Sequence, residues 1–216
     1  MKVLLFGATG MVGQGVLREC LLAADVSDIL SVGRSATNQT NPKLREFVRP
    51  NLVEVSGLDK LLAGFDACFF CLGVSSAGMK EQDYRRVTFE LTLAVARTLA
   101  RLNPSMTFIY VSGVGTDSRG RSMWARVKGD TENALLALPF KAVMFRPGAI
   151  IPLHGIKSRT ALYRVIYSLT RPFWSVLLRA FPRAVTTTEQ LGRAMLAVTR
   201  TGSPKPILEP PDINAL

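Results

Sequence analysis

The sequence predicts an α/β fold, a doubly wound parallel sheet with a small, mostly helical C-terminal segment on the substrate side. Three observations predict it. Short, near-continuous apolar runs recur through the first two-thirds of the chain. Stretches with helical spacing separate them. A glycine-rich turn joins the first run to the first helix. Strands that are apolar on both faces belong in a parallel sheet covered on each side by helices.

The elements follow in order. Val3–Phe6 is a short apolar run ending at glycine, and Met11–Ala23 carries Val12, Val16, Leu17, Cys20 and Leu21 at helical spacing. Ile29–Val32 is the second strand, ending at Gly33-Arg34, and residues 35–43 are a polar loop. Leu52–Val55 and Asp66–Leu72 are the next strands, and Asp83–Leu102 is a long helix stopped by Asn103-Pro104. Met106–Val111 is a strand, Met123–Leu138 a helix, and Lys141–Phe145 a strand ended by Arg146-Pro147-Gly148. Thr160–Leu169 and Phe173–Phe181 are apolar, basic helical stretches split by Arg171-Pro172, because proline removes a helical hydrogen bond. Thr188–Thr199 is a helix with Thr187 or Thr188 as its cap and Glu189 favourable in its first turn. The proline-rich tail from Gly202 is expected to lie over the surface.

The chain has 216 residues, enough for one domain with a sizeable core. No apolar run reaches the ~18–20 residues of a membrane-spanning helix. The apolar run after Lys2 is four residues, shorter than the roughly 7–15 of a secretory signal, so a buried strand and a cytoplasmic protein are expected. Cys68 and Cys71 form a CxxC inside a strand-like run, where alternation sends them to opposite faces. With one histidine in the chain and no second CxxC, they read as buried structural thiols, and no metal site is expected.

Gly7-Ala8-Thr9-Gly10-Met11-Val12-Gly13 follows a strand and opens a helix, the context that makes a glycine pattern informative. Gly7 permits the sharp turn, Gly10 lets a pyrophosphate approach the backbone, and Gly13 lets the helix pack on the strand. The helix N-terminus then offers N–H groups and a positive dipole end to phosphates. Gly7, Thr9, Gly10, Met11, Val12 and Gly13 are therefore candidate cofactor contacts, on an NAD(P)-binding Rossmann fold. Residues 1–216 read as one such domain, with 1–150 as the dinucleotide-binding core and 151–216 as the helical segment completing the substrate side.

The second strand selects among dinucleotides. An acid there, about 20 residues on, would bind the ribose 2′-hydroxyl of NAD. This chain has Val32-Gly33-Arg34-Ser35 instead. Arg34 suits a 2′-phosphate with its planar fork, and Ser35 adds a hydrogen bond, so NADP(H) is expected over NAD(H).

GATGMVG, VGRS, FCLG, YVSGVGTD, VKG and FRPG stand in the order found in the atypical short-chain dehydrogenase/reductase superfamily, which the chain resembles over roughly residues 1–150. Within it, the chain is most similar to the Tat-interacting-protein-like oxidoreductase and bacterial epimerase branches. The resemblance implies that Cys71, Leu72 and Gly73 lie beside the adenosine ribose and Ser56 and Gly57 near the adenine. It implies that Lys128 holds the nicotinamide ribose and that Pro147 and Gly148 flank the nicotinamide. The family usually carries Tyr-x-x-x-Lys, whose spacing puts both side chains on one helical face. Lysine lowers the tyrosine pKa so that the phenol exchanges a proton with substrate. Here Trp124 occupies the tyrosine position, and an indole is no general acid or base near neutral pH. Ser112 and Lys128 remain as candidate catalytic residues, although the family's serine aligns with Gly113. Tyr84, Tyr110 and Tyr163 are the alternative phenols.

The implied activity is NADP(H)-dependent hydride transfer to or from a small carbonyl or alcohol substrate. The alternative is a non-catalytic NADP(H)-binding redox sensor or protein-interaction module, because of Trp124. Net charge is +11, and between His154 and Arg200 eight Lys/Arg face one acid, Glu189. Neither a run of adjacent basic residues nor the aromatic interleaving of single-strand binders accompanies this charge, so no nucleic-acid partner is expected. Residues 157–183, apolar and basic, are instead a candidate surface for a protein partner or an anionic membrane. Tyr163, Ile166, Tyr167, Phe173 and Trp174 are candidates to line an apolar substrate pocket, and His154 reads as a loop residue.

Overall fold

A computed structural model describes residues 1–50, 57–156, 174, 180–181 and 184–216. The expected strand Leu52–Val55, Ser56, Tyr163 and nearly all of the 157–183 surface lie outside the described residues.

The chain runs β1 (Lys2–Phe6), α1 (Met11–Leu22), β2 (Asp28–Gly33), β3 (Leu44–Val48), α2 (Asp59–Leu62) and β4 (Ala67–Phe70). It continues through α3 (Glu81–Arg85), a π-helical turn (Arg86–Glu90), α4 (Leu91–Leu102), β5 (Thr107–Val111), α5 (Met123–Leu136), β6 (Lys141–Phe145) and β7 (Ala149–Ile151). It ends with β8 (Val185–Thr187), α6 (Thr188–Thr201), β9 (Ile207–Leu208) and α7 (Pro210–Asn214).

Seven strands form one sheet in the order β3-β2-β1-β4-β5-β6-β9, and every neighbouring pair is parallel. The order reverses between β1 and β4, which opens a crevice beyond their carboxyl ends, where such sheets bind ligands. Alternation along the strands builds a core on each face. Val3, Leu5, Ile29, Phe69, Ile109 and Phe145 face α1 and α6 on one side. Leu4, Phe6, Leu30, Phe70, Phe108 and Met144 face α4 and α5 on the other. On that second face Phe6, Phe70 and Phe108 stack in series at centroid distances of 5.3 and 5.8 Å. A methyl at Gly15 of α1 would stand 2.5 Å from Thr188 Cβ, so the absence of a side chain there is what lets α1 and α6 meet.

Three expectations change. Leu44–Val48 is a strand that the sequence reading assigned to no element. Its pattern is that of a half-exposed edge, with Arg45 and Glu46 outward, so the apolar signal is weak. The helix expected over Asp83–Leu102 starts at Glu81 and contains a π turn. The tail is not a surface strand of coil: Ile207–Leu208 pairs with β6, and Leu208 and Ile213 are fully buried. Thr187, rather than Thr188, caps α6, its hydroxyl accepting from the Gln190 N–H at 3.0 Å. Cys68 packs in the second core face and Cys71 against the first, and all three cysteines are free thiols. Burial pushes the Cys20 thiol up to about 12 and raises Cys68 and Cys71 as well, which favours the protonated thiol in all three.

Candidate dinucleotide site

Because β1, β2, β4, β5 and β6 are parallel, the residues that follow each of them gather along one edge of the sheet. Gly7 and Gly10 follow β1, Arg34 and Ser35 follow β2, and Cys71, Leu72 and Gly73 follow β4. Ser112 and Gly113 follow β5, and Pro147 and Gly148 follow β6. Gly57 is exposed in a turn before α2.

The loop after β1 is built backbone on backbone. Gly7 has φ +83°, a region that L side chains rarely adopt. A Cβ there would also stand 2.7 Å from Leu72 N and 2.8 Å from the Cys71 carbonyl. The Gly10 N–H donates to Gly7 O at 2.9 Å, and Gln14 N–H donates to Gly10 O at 2.9 Å. Gln14 Nε2 donates to Thr9 O at 3.2 Å, bracing the loop from the side. A Cβ on Gly13 would stand 2.0 Å from Gly7 O, so the first turn of α1 lies directly on the loop.

Gly10 caps α1 without a side-chain hydrogen bond, and no acid stands in the first turn. Among the described residues, the N–H groups of Met11, Val12 and Gly13 have no backbone acceptor. Three unpaired donors at the positive end of a twelve-residue helix fit the phosphates of a dinucleotide. Among the described residues, no atom lies within 4 Å of where a Cβ on Gly73 or Gly113 would stand. Arg34 and Ser35 are exposed, and no ion pair engages Arg34 among the described residues.

Lys128 sits on α5, one turn after Trp124. Its Nζ donates to Val111 O at 3.2 Å and lies 5.2 Å from the centre of the Tyr110 ring, at the carboxyl end of β5. Packing around the ammonium lowers its pKa from 10.5 to about 8, against the opposing pull of Glu132. The Trp124 ring rests beside Gly115, 3.5 Å from where a Cβ would be.

Ser112 is buried, and its Oγ lies 2.9 Å from Thr116 Oγ1. Thr116 has one hydroxyl proton and gives it to Gly113 O at 2.8 Å. The proton between the two hydroxyls is therefore that of Ser112, which leaves Ser112 only lone pairs to offer. Tyr84 and Tyr110 are almost wholly buried, and desolvation raises both phenols. Neither is a phenol at the open edge. Pro147 O accepts from Val114 N–H at 3.2 Å, and Gly148 packs against Ala184 O, where a Cβ would stand at 2.2 Å. His154, with φ +55°, pairs through Nε2 with Glu189 Oε2 at 2.5 Å.

The sequence reading missed two buried carboxylates, Glu19, which is held by Arg18 and Arg193, and Glu132. Glu132 of α5 is 1% exposed and holds Arg146, whose other arm reaches Glu209. Glu132 falls on the buried side of α5 with Val127 and Leu135. A carboxylate in such a stripe was the available signal that a cation lies opposite.

A model of the NAD dependent epimerase/dehydratase family matches residues 3–123. The chain is 30% identical over 154 residues to Protein FMP52, mitochondrial, of Eremothecium gossypii, covering 70% of this chain and 67% of that protein. It is 30% identical over 157 residues to Protein fmp52, mitochondrial, of Aspergillus niger, covering 69% and 66%. The chain thus spans about two-thirds of these relatives. Among solved structures, MoeE5 in complex with UDP-glucuronic acid and NAD aligns with TM-score 0.71 and 17% identity, over 96% of this chain and 74% of that one. The UDP-glucuronic acid 4-epimerase of Bacillus cereus in complex with NAD aligns with TM-score 0.70 and 14% identity, over 97% and 78%. At these identities the structures show a shared fold. The mitochondrial names of the relatives overturn the expected cytoplasmic location. The length of an apolar run bears on secretory signals and membrane spans alone and carries no information about a mitochondrial location.

Proposed function

The chain belongs to the NAD dependent epimerase/dehydratase family, and from that premise we propose that it binds NADP(H) and acts as an oxidoreductase on a small carbonyl or alcohol substrate. The observation that carries the reading is the loop after β1, where Gly7 and Gly13 interlock and, among the described residues, the N–H groups of Met11, Val12 and Gly13 have no backbone acceptor. In this reading Gly7, Thr9, Gly10, Met11, Val12 and Gly13 hold the pyrophosphate. Cys71, Leu72 and Gly73 border the adenosine ribose, Ser56 and Gly57 the adenine, and Pro147 and Gly148 the nicotinamide. The bound dinucleotide supplies hydride exchange at its nicotinamide ring. Lys128, anchored on Val111 O, fixes the nicotinamide ribose. Arg34 and Ser35 take the 2′-phosphate, which selects NADP(H). The 216 residues act as one domain, and by the names of the relatives the proposed location is mitochondrial.

Titration calorimetry of the purified chain with NADPH and NADH tests the cofactor. NADPH is expected to bind at least about tenfold tighter, one charge-assisted contact being worth about 1.5–3 kcal/mol. Equal or tighter NADH binding overturns the preference.

A second reading, a dinucleotide-binding redox sensor or interaction module without turnover, has its own support. By the resemblance carried by its motifs, Trp124 takes the tyrosine position, and the Ser112 proton is committed to Thr116. Following NADPH oxidation over a panel of carbonyl compounds separates the two, with Trp124→Tyr alongside. Turnover by the unmodified chain removes the second reading. Turnover that appears only in the variant removes the first.

A further inference from the structure

We propose that Arg146 and Glu132 form a charge chain that sets the charge of Lys128, making Arg146 a positioning residue for the dinucleotide site from outside it. The inference rests on the reading of Lys128 as a cofactor-side group.

Glu132 lies four residues after Lys128 on α5, so the two share one face of the helix. A carboxylate buried to 1% exposure requires a cation, and Arg146 supplies it from the end of β6. Arg146 Nε lies 3.0 and 3.2 Å from the two Glu132 oxygens, and Nη2 lies 2.5 Å from Oε2. Glu209, the cap of α7, takes Nη1 at 3.2 Å from the far side. The guanidinium therefore divides its charge between a buried carboxylate one helical turn from Lys128 and a more exposed one on the C-terminal segment.

The surroundings of Lys128 leave Glu132 as the carboxylate that acts on it. From β5, Tyr110 offers a ring face and a phenol kept neutral by burial. From α3, Tyr84 is buried, and desolvation keeps its phenol neutral. On α5 itself, Asp130 is paired with Arg85 at 2.8 Å and Arg126 with Glu81 at 2.8 Å. Arg146, directly after β6, reaches both Glu132 and Glu209, the cap of α7, whereas Lys141 stands at the opposite end of β6 and Asp212 of α7 is paired with Lys205 at 2.8 Å. Burial pushes Lys128 toward neutrality, and Glu132 opposes it. Arg146 decides how much of the Glu132 charge Lys128 feels, because charges at this depth are poorly screened by water.

The test reads Lys128 directly in the full chain without cofactor, from the pH dependence of acetylation at that residue by mass spectrometry. Arg146→Gln leaves the Glu132 charge uncompensated and is expected to raise the Lys128 midpoint by about one pH unit. Glu132→Gln removes the charge and is expected to lower it by a similar amount. The double variant, which strands no buried charge, is expected near the parent and guards against loss of fold in either single one. Loosened packing alone would admit water and raise the midpoint in all three, and that outcome, or no shift, overturns the proposal. NADPH affinity against pH is measured separately. Midpoints that move as expected while the affinity profile stays put sustain the charge chain and reject Lys128 as a cofactor contact.

Discussion

The carbonyl oxygen of Gly7 lies 2.0 Å from the point a Cβ on Gly13 would occupy. Both partners are backbone, so neither yields by a rotamer change. Gly13→Ala must push α1 off the loop. A loss of about 1–3 kcal/mol is expected from the overpacking, with weaker dinucleotide binding. Urea unfolding and cofactor titration measure the two effects, and a variant within about 0.5 kcal/mol of the parent shows that the loop is not interlocked.

Arg34 is exposed and without an ion pair among the described residues, so its removal should cost the fold little. Arg34→Gln is expected to weaken NADPH binding roughly tenfold to a hundredfold and leave NADH binding unchanged, as for loss of a charged hydrogen bond of about 1.5–3 kcal/mol. A parallel fall in both affinities would assign Arg34 to the fold.

Lys128 ties pH to stability. Its pKa in the folded chain, about 8, lies below its ordinary 10.5. Between those values the unfolded chain holds a proton that the native chain has released, so stability from this group rises with pH. The penalty is complete below about 8 and gone above about 10.5. The buried Cys20 thiol works oppositely above its ordinary 9.0, so the comparison must be with a variant. The stability advantage of Lys128→Met over the parent is expected to shrink across this window. An advantage that stays constant from pH 7 to 11 contradicts the lowered pKa.

Thr187 closes β8 and caps α6 through a 3.0 Å hydrogen bond to Gln190 N–H. Thr187→Ala is expected to cost about 0.5–2 kcal/mol. Thr187→Ser keeps the acceptor and should recover most of it. If serine and alanine lower the melting temperature equally, the hydroxyl is not the cap that matters.

Much of the architecture was legible because its causes are local. The strands with two apolar faces announce a parallel sheet, and the glycine spacing announces the turn into α1. The edge strand Leu44–Val48 was hidden because Arg45 and Glu46 break its apolar signal. Ile207–Leu208 is too short to show any period, yet its pairing with β6 brings the tail into the sheet. At the site, Lys128 and Trp124 were readable as neighbours one turn apart. That Ser112 spends its proton on Thr116 depended on the way the loop after β5 folds back.

The sequence by itself determined the fold class, the turn at Gly7 and the open helix end beside it, because dihedral limits, Cβ size and strand alternation act within a few residues. Only the tertiary structure decided how the charges are shared. Glu132 comes from α5, Arg146 from the residue after β6 and Glu209 from the cap of α7, and it is the order of the strands that brings them into contact. A buried carboxylate must find a cation, but which cation it finds is a property of the sheet that surrounds it.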